Sequence, residues 1–196
     1  MCGRFQIAVE LDDILEKYGI DYRGIDFSSK QEVFPTDKSI IITKEGMEKK
    51  IKMAKWGFSV SFTKRPLINA RSETVSIKQT FRDAFIQRRC IVPVTGYFEW
   101  KKEFGKKEKY IIRTEDDIFS LAGIYKSFND GYGRELEEYT ILTGPANKTI
   151  EHIHERMPVI INKEYEEIWL DRGVRDITLL NDIMSEQNIK LLTEKA

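Results

Sequence analysis

The sequence is poor in cysteine and histidine, and it has no excess of charge of either sign. It contains two cysteines, Cys2 and Cys90, and two histidines among 196 residues. So few cysteines exclude a disulfide-stapled scaffold and indicate a reducing compartment. Lysine plus arginine equal aspartate plus glutamate at 32 each, which excludes a global basic field. Any binding of nucleic acid must therefore come from local clusters of basic residues.

Long apolar runs are also absent. No stretch approaches the length of a membrane span, and acidic residues interrupt the apolar residues near the N-terminus too early for a signal peptide. We therefore expect a cytoplasmic protein with no membrane partner. Hydrophobic residues make up 41% of the chain, which is ordinary for a globular protein. The length predicts one domain over residues 1–196, with a core at about 2–185 and a short polar C-terminal tail.

Local patterns in the first part of the chain predict both helix and strand. Apolar residues at positions 11–18 recur at helical period, and Gly19 follows where such a helix would stop. Residues 39–56 are typical of a β-hairpin. The polar segments 20–37 and 57–73 lack either period and are expected to be irregular loops.

The second part of the chain continues this mixture. Ile77, Phe81 and Phe85 share one helical face, which predicts a helix between residues 75 and 89, and β-branched residues at 90–100 favour a strand. Further strands are expected at 110–114, 119–125, 138–143, 157–161 and 189–192, and further helices at 162–170 and 176–184. The fold class predicted is α+β, with a curled, mainly antiparallel, barrel-like sheet and peripheral helices.

Cys2 follows the initial methionine, and removal of Met1 would place it at the mature N-terminus. An N-terminal cysteine carries a thiol and an α-amine on adjacent carbons, with ordinary pKa values of about 8.5 and about 7.7–8.0. The amine condenses with an aldehyde to an imine, and addition of the thiol closes a five-membered thiazolidine without a second molecular encounter. Taken alone, a cysteine near a terminus is most often a small, weakly polar residue with no chemistry.

Six short motifs follow one another along the chain. They are MCGRF (1–5), WGF (56–58), LINARSET (67–74), RCIVP (89–93), GYFEW (96–100) and HERMP (154–158). Each is weak alone, because polar residues in loops and on strand faces are the norm. In this order, the sequence resembles the SOS-response-associated peptidase (SRAP) family, whose members shield abasic sites in single-stranded DNA. The resemblance covers about residues 2–185 and implies the SRAP fold.

The resemblance also implies a chemistry for the N-terminal cysteine. Members of the family attack the C1′ aldehyde of an opened abasic sugar and retain a thiazolidine DNA–protein crosslink, an enzyme activity of thiol-peptidase and lyase-like type. The family's catalytic residues fall on Cys2, Asn69, Glu99 and His154. Asn69 would hold the amine or backbone of Cys2, Glu99 would shuttle a proton, and His154 would assist opening of the sugar.

Contacts to DNA are expected from basic and aromatic residues around this group. A planar guanidinium binds phosphate through two parallel hydrogen bonds, and flat rings stack on bases. The residues expected to make such contacts are Arg4, Arg71 and Arg156 for phosphate, and Trp56, Phe58 and Pro35 for bases. For Trp56 and Phe58, packing in the core is an equally good explanation.

Other functions use some of the same residues. A cysteine peptidase with an N-terminal nucleophile would act on amides, with its own Met1–Cys2 bond as one substrate. A non-covalent reader of modified DNA would keep its affinity without the Cys2 thiol. A metal site from Cys2, Cys90, His152 and His154 matches no familiar ligand spacing. We expect abasic single-stranded DNA as the partner, no metal or cofactor, and a monomer that is nucleoid-associated when bound to damaged DNA.

Overall fold

The computed structural model describes residues 2–22, 24–103, 105–129, 131–133 and 135–196. Helices in these ranges are α1 (Leu11–Tyr18), α2 (Gln79–Gln87), α3 (Glu166–Leu170) and α4 (Ile177–Ser185), and a 3₁₀ turn spans Lys163–Tyr165. The strands are β1 (Phe5–Ile7), β2 (Lys30–Val33), β3 (Lys38–Glu45), β4 (Glu48–Trp56), β5 (Phe58–Val60), β6 (Thr63–Leu67), β7 (Asn69–Arg71), β8 (Arg89–Val94), β9 (Gly96–Glu103), β10 (Lys106–Arg113), β11 (Phe119–Asn129), β12 (Glu135–Pro145), β13 (Arg156–Pro158), β14 (Ile160–Ile161) and β15 (Leu192–Lys195).

Strands β3, β4, β12, β11 and β8 close a barrel. β3 and β4 form the predicted antiparallel hairpin, and β4 pairs with β12 in parallel. β12 pairs with β11 and β11 with β8, both antiparallel, and β8 returns to β3 where Ile91 lies opposite Ile42. Closure leaves these strands without an open edge. The predicted curled, mainly antiparallel sheet with peripheral helices is confirmed.

A second sheet holds the N-terminal strand in place. Its strand order is β15-β10-β9-β1-β2. The chain passes from barrel strand β8 into β9 at Thr95, whose N–H donates to the carbonyl of Gln6 at 2.8 Å. Phe5 lies opposite Tyr97 of β9 on one side and Val33 of β2 on the other. Strand β1 is thus hydrogen-bonded on both sides, which keeps the N-terminal segment from fraying.

Helix α1 agrees with the sequence pattern. Its apolar stripe, which includes Ile14 and Tyr18, is buried. The Asp13 carboxylate accepts the N–H of Glu10 at 3.0 Å, and Gly19 ends the helix with a φ of 65°. Glycine reaches this left-handed conformation without the cost that a Cβ would add. The predicted helix is confirmed because its stripe and its end signals all act within a few residues.

Several predicted elements are wrong in extent. The segments 20–37 and 57–73 were expected to be irregular, but they contain strands β2, β5, β6 and β7. Only Val33 of β2 is buried, so this strand exists through pairing with β1 and not through an apolar pattern of its own. Ile77 is 73% exposed because α2 begins only at Gln79.

The C-terminal elements also differ from their predicted bounds. The helix expected at 162–170 begins as a 3₁₀ turn and becomes α-helical only at Glu166. The strand expected at 189–192 lies at Leu192–Lys195 and adds to the edge of the second sheet beside β10. Within the described part of the chain, no helix has both the length and the apolar character needed to cross a membrane.

Candidate functional site

The antiparallel pairing of β1 with β9 places the N-terminus beside Glu99. Phe5 lies opposite Tyr97, and the N–H of Phe98 donates to the carbonyl of Arg4 at 2.9 Å. The residues before Arg4 therefore run alongside Glu99. β9 is held on its other side by β10, where Tyr110 lies opposite Glu99. Glu99 is 2% exposed, so the fold carries a carboxyl group into the interior next to Cys2.

Cys2 is buried and its backbone is held by Asn69. The thiol is fully inaccessible, and its Sγ lies 3.7 Å from the carbonyl oxygen of Arg4. Asn69 Nδ2 donates to the carbonyl of Cys2 at 2.8 Å. β7 carries Asn69 because it pairs in parallel with barrel strand β12, where Ile141 lies opposite Asn69. The barrel and the second sheet thus meet at Cys2. Met1 lies outside the described residues.

The electrostatic environment keeps the Cys2 thiol protonated. Burial raises the pKa of Cys2 far above its ordinary value, and the negative charge of Glu99 raises it further. Tyr97, fully buried on the same strand as Glu99, has its pKa raised by burial and then by Cys2 and Glu99. Cys2, Tyr97 and Glu99 therefore form one electrostatically coupled group. Sequence reasoning missed Tyr97, although alternation along GYFEW puts it on the same strand face as Glu99.

His154 lies on the segment that leads into β13. Its Nδ1 accepts the N–H of Arg156 at 3.0 Å, which leaves the proton of a neutral ring on Nε2. β13 pairs with β12, where Pro158 lies opposite Thr143, and β7 pairs with the same residue of β12 through Arg71. His154 is thereby carried on the strand system that also carries Asn69 and Arg71.

The three arginines expected to bind phosphate differ in their surroundings. Arg71 is exposed and, among the residues described, is in no ion pair. Arg4 Nη1 lies 2.8 Å from Glu32. Arg156 makes two hydrogen bonds to Glu73, at 2.7 and 2.9 Å, and a third to the carbonyl of Thr143 at 2.6 Å. Phosphate would reach Arg4 and Arg156 only in competition with carboxylates.

The aromatic residues expected to stack on bases lie in the core instead. Trp56 is 0% exposed and Phe58 1% exposed. The Trp56 ring packs 4.9 Å from that of Phe5, and its N–H donates to the carbonyl of Ile68 at 2.9 Å. The expectation that Trp56 and Phe58 contact bases is therefore wrong for this conformation, because a base would have to displace core side chains. Packing in the hydrophobic core, the alternative explanation, describes both side chains.

Other aromatic rings are accessible near the N-terminus. Phe34 is 43% exposed and precedes half-buried Pro35 in a tight turn closed by a 3.0 Å bond from the N–H of Asp37 to the carbonyl of Phe34. The Arg4 guanidinium lies 3.9 Å from the centroid of the Phe34 ring and 5.3 Å from that of Trp100. Sequence reasoning selected Pro35 in this turn and missed Phe34 beside it.

The ion pair between Glu73 and Arg156 makes a testable contribution to acid stability. Hydrogen bonds from Arg156 lower the pKa of Glu73 to about 2. A lowered carboxyl pKa stabilises the fold above the ordinary pKa of about 4.5, and that stability is lost as the pH falls towards 2. We expect Glu73→Gln to lower the free energy of unfolding at pH 7 by no more than about 1 kcal/mol, since the pair is partly exposed.

Urea unfolding of wild type and Glu73→Gln at pH 7, 4 and 3 measures this contribution. The difference between the two proteins should shrink as the pH falls. A difference that is constant across this range would show that the ion pair is not its source.

Comparison with known proteins identifies the family of this chain. The family model described as SOS response associated peptidase (SRAP) matches residues 1–193. The chain belongs to the SRAP family. Abasic site processing protein YoqW of Bacillus subtilis is 33% identical over 195 residues, with 94% of this chain and 86% of that protein covered. Abasic site processing protein YedK of Escherichia coli is 29% identical over 180 residues, with 89% and 81% covered.

The fold is shared with solved structures as well. The crystal structure of a protein from Bacteroides thetaiotaomicron superposes with a TM-score of 0.84 at 26% identity, covering 99% of this chain and 91% of that one. Among the residues described here, no group of three or more His, Cys, Asp and Glu side chains is arranged to hold a metal ion.

Proposed function

We propose that this chain captures abasic sites in single-stranded DNA through a thiazolidine formed on Cys2. One arrangement supports this most. Asn69 donates a 2.8 Å hydrogen bond to the carbonyl of Cys2, and Glu99 is close enough for its charge to raise the pKa of the Cys2 thiol. A nucleophile, a group that fixes its backbone and a proton acceptor thus meet at the N-terminus. Membership of the SRAP family and the names of its relatives support the same assignment.

The proposed reaction begins once Met1 has been removed. The free α-amine of Cys2 attacks the C1′ aldehyde of the opened sugar, and the carbinolamine loses water to give an imine. The Cys2 sulfur adds to the imine carbon, and the thiol proton ends on the nitrogen, which becomes the secondary amine of the ring. One aldehyde and one aminothiol give one thiazolidine and one water. The second addition is intramolecular, which favours ring closure strongly.

Glu99 serves as proton acceptor and donor in this scheme. A neighbouring negative charge disfavours a thiolate, so Glu99 cannot activate Cys2 by stabilising its charged form. It can instead take the thiol proton as sulfur attacks carbon and return it to nitrogen. Burial keeps the thiol protonated until that step, which limits its oxidation by solution oxidants.

His154 and Arg71 act on the sugar and its phosphate. The Nε2–H of His154 can donate a hydrogen bond to the ring oxygen and stabilise the negative charge that develops there as the hemiacetal opens. Arg71 is exposed and can hold a phosphate beside the lesion through its planar guanidinium. This local contact is needed because the chain has no net charge to attract DNA.

Incubation with defined oligonucleotides tests the proposal. Protein whose intact mass shows loss of Met1 is mixed with a single strand carrying one abasic site. We expect an adduct that survives heat and denaturant, with a mass equal to the sum of the two components minus one water. A matched strand with a tetrahydrofuran analogue, which has no aldehyde, should give none.

Two outcomes would count against the proposal. Absence of any adduct from protein with a free N-terminal cysteine would exclude thiazolidine formation. Turnover of peptide substrates without an adduct would instead assign the same residues to a cysteine peptidase, since the two functions differ only in whether the electrophile is an aldehyde or an amide.

A further inference from the structure

The hairpin of β9 and β10 has two faces with different charge. Residues directly opposite each other in an antiparallel pair share a face, and alternate residues along a strand return to it. Trp100 lies opposite Lys109 and Lys102 opposite Lys107, so these four side chains share one face. Lys101 lies opposite Glu108 and Glu103 opposite Lys106, and these four share the other.

On the face that carries the glutamates, both carboxylates are paired with lysines. Lys101 lies 2.9 Å from Glu103, and Lys195 of β15 lies 3.0 Å from Glu108. The other face has no such compensation at its outer end. Lys102 and Lys107 are exposed, and neither is in an ion pair with any residue that the structure describes. Their charges are therefore directed to solvent.

The inner end of the uncompensated face joins the surroundings of Cys2. The Arg4 guanidinium is near the rings of both Phe34 and Trp100, at 3.9 and 5.3 Å from their centroids. A single carboxylate, Glu32, serves both Arg4 at 2.8 Å and Lys109 at 2.5 Å. Two cations on one anion leave a net positive charge here, beside accessible aromatic rings.

These residues form a continuous basic–aromatic stripe, made up of Arg4, Phe34, Trp100, Lys109, Lys102 and Lys107. It begins two residues from Cys2 and follows β9 outward. At about 3.3 Å per residue, Lys102 lies roughly 7 Å beyond Trp100 on the same face of β9. A single strand of nucleic acid bound at Cys2 would meet the basic–aromatic stripe if it continued along β9.

We propose that the basic–aromatic stripe binds the single strand that continues from the nucleotide held at Cys2, an inference that rests on the proposed function. Cations that follow the phosphates and rings that stack on bases are the elements that single-stranded nucleic acid binding requires. Compensation of the opposite face shows that the hairpin is not merely basic throughout. The lysines of this face add to the local positive charge of Arg71 in a chain that has no net charge.

The hairpin offers a matched pair of variants for the test. Lys102→Gln with Lys107→Gln removes two charges from the stripe, and Lys101→Gln with Lys106→Gln removes two from the opposite face. Binding of an undamaged fluorescent single strand is measured by anisotropy at several salt concentrations. The stripe variant should bind at least roughly tenfold more weakly at low salt, and its slope of log K against log salt should be shallower by about 1.4.

The control variant should match wild type in both quantities. Equal losses in the two variants, or no loss in either, would overturn the inference. Competition by polyglutamate as strong as that by the oligonucleotide would also overturn it, in favour of an acidic polypeptide as partner. Adduct formation at saturating protein keeps the two proposals apart. If only the inference about the stripe is wrong, the wild-type protein still forms the adduct. If the proposed function is wrong, the wild-type protein forms no adduct, but the difference in salt slope between the two variants can still be measured.

Discussion

Cys2→Ala should form no heat-stable adduct with an abasic single strand, a fall of at least about a thousandfold in yield. The variant keeps a free α-amine and still forms an imine, but it has no sulfur to close the ring. Reduction with borohydride should therefore trap an adduct of Cys2→Ala that is absent without reductant. This result would show that the amine forms the imine and that the thiol is needed only to close the ring.

Cys90→Ala is the matched control for this measurement. Cys90 is also fully buried, and burial also raises the pKa of its thiol, but it lies within β8 and carries no free α-amine. Its heat-stable adduct should equal that of wild type. A heat-stable adduct formed by Cys2→Ala without reductant, or loss of the adduct in folded Cys90→Ala, would place the reactive sulfur elsewhere.

Arg89→Met should lower the free energy of unfolding by about 3–5 kcal/mol. Arg89 is 2% exposed, and every hydrogen bond from its guanidinium to a described residue goes to a backbone carbonyl. Nε bonds Trp169 at 2.7 Å, Nη1 bonds Phe85 at 2.8 Å and Ile86 at 2.9 Å. Nη2 bonds Asp171 and, at 2.9 Å, Val174. A methionine fills similar space but leaves these buried carbonyls without donors.

Urea unfolding followed by tryptophan fluorescence measures this loss. Arg82→Met is the control, because Arg82 lies on the neighbouring helix α2 and is exposed, and it should change stability by less than about 0.5 kcal/mol. Equal effects of the two substitutions would mean that the carbonyl contacts of Arg89 do not stabilise the junction of α2, β8 and α3.

Arg89 also illustrates what a motif can and cannot convey. RCIVP contributed to the resemblance to the SRAP family, yet nothing in those five letters indicates that the arginine is buried. Its partners come from α2 on one side and from residues 169–174 on the other. Contacts between segments about 80 residues apart depend on the closed barrel, and no local pattern encodes them.

The same division applies to the candidate site. The motifs pointed to Cys2, Asn69 and Glu99, and the structure brings Asn69 to the backbone of Cys2 and Glu99 to its thiol. The pairing of Arg156 with Glu73 and of Arg4 with Glu32 had no signal in the sequence. Each pair joins segments far apart in the chain, because Glu73 follows β7 and Arg4 precedes β1, so its existence depends on which strands are neighbours.

Sequence alone was sufficient for the features that act over a few residues. Three features follow from adjacent residues, because helical period, turn chemistry and covalent structure are local. They are helix α1 with its apolar face and terminal Gly19, the hairpin β3–β4, and the aminothiol that Cys2 would present once Met1 is removed. Tertiary structure was needed to decide the strands β2 and β7, the burial of Trp56 and the two unlike faces of the β9–β10 hairpin. Those features arise from pairing between distant segments, whose register determines which side chains meet water and which meet each other.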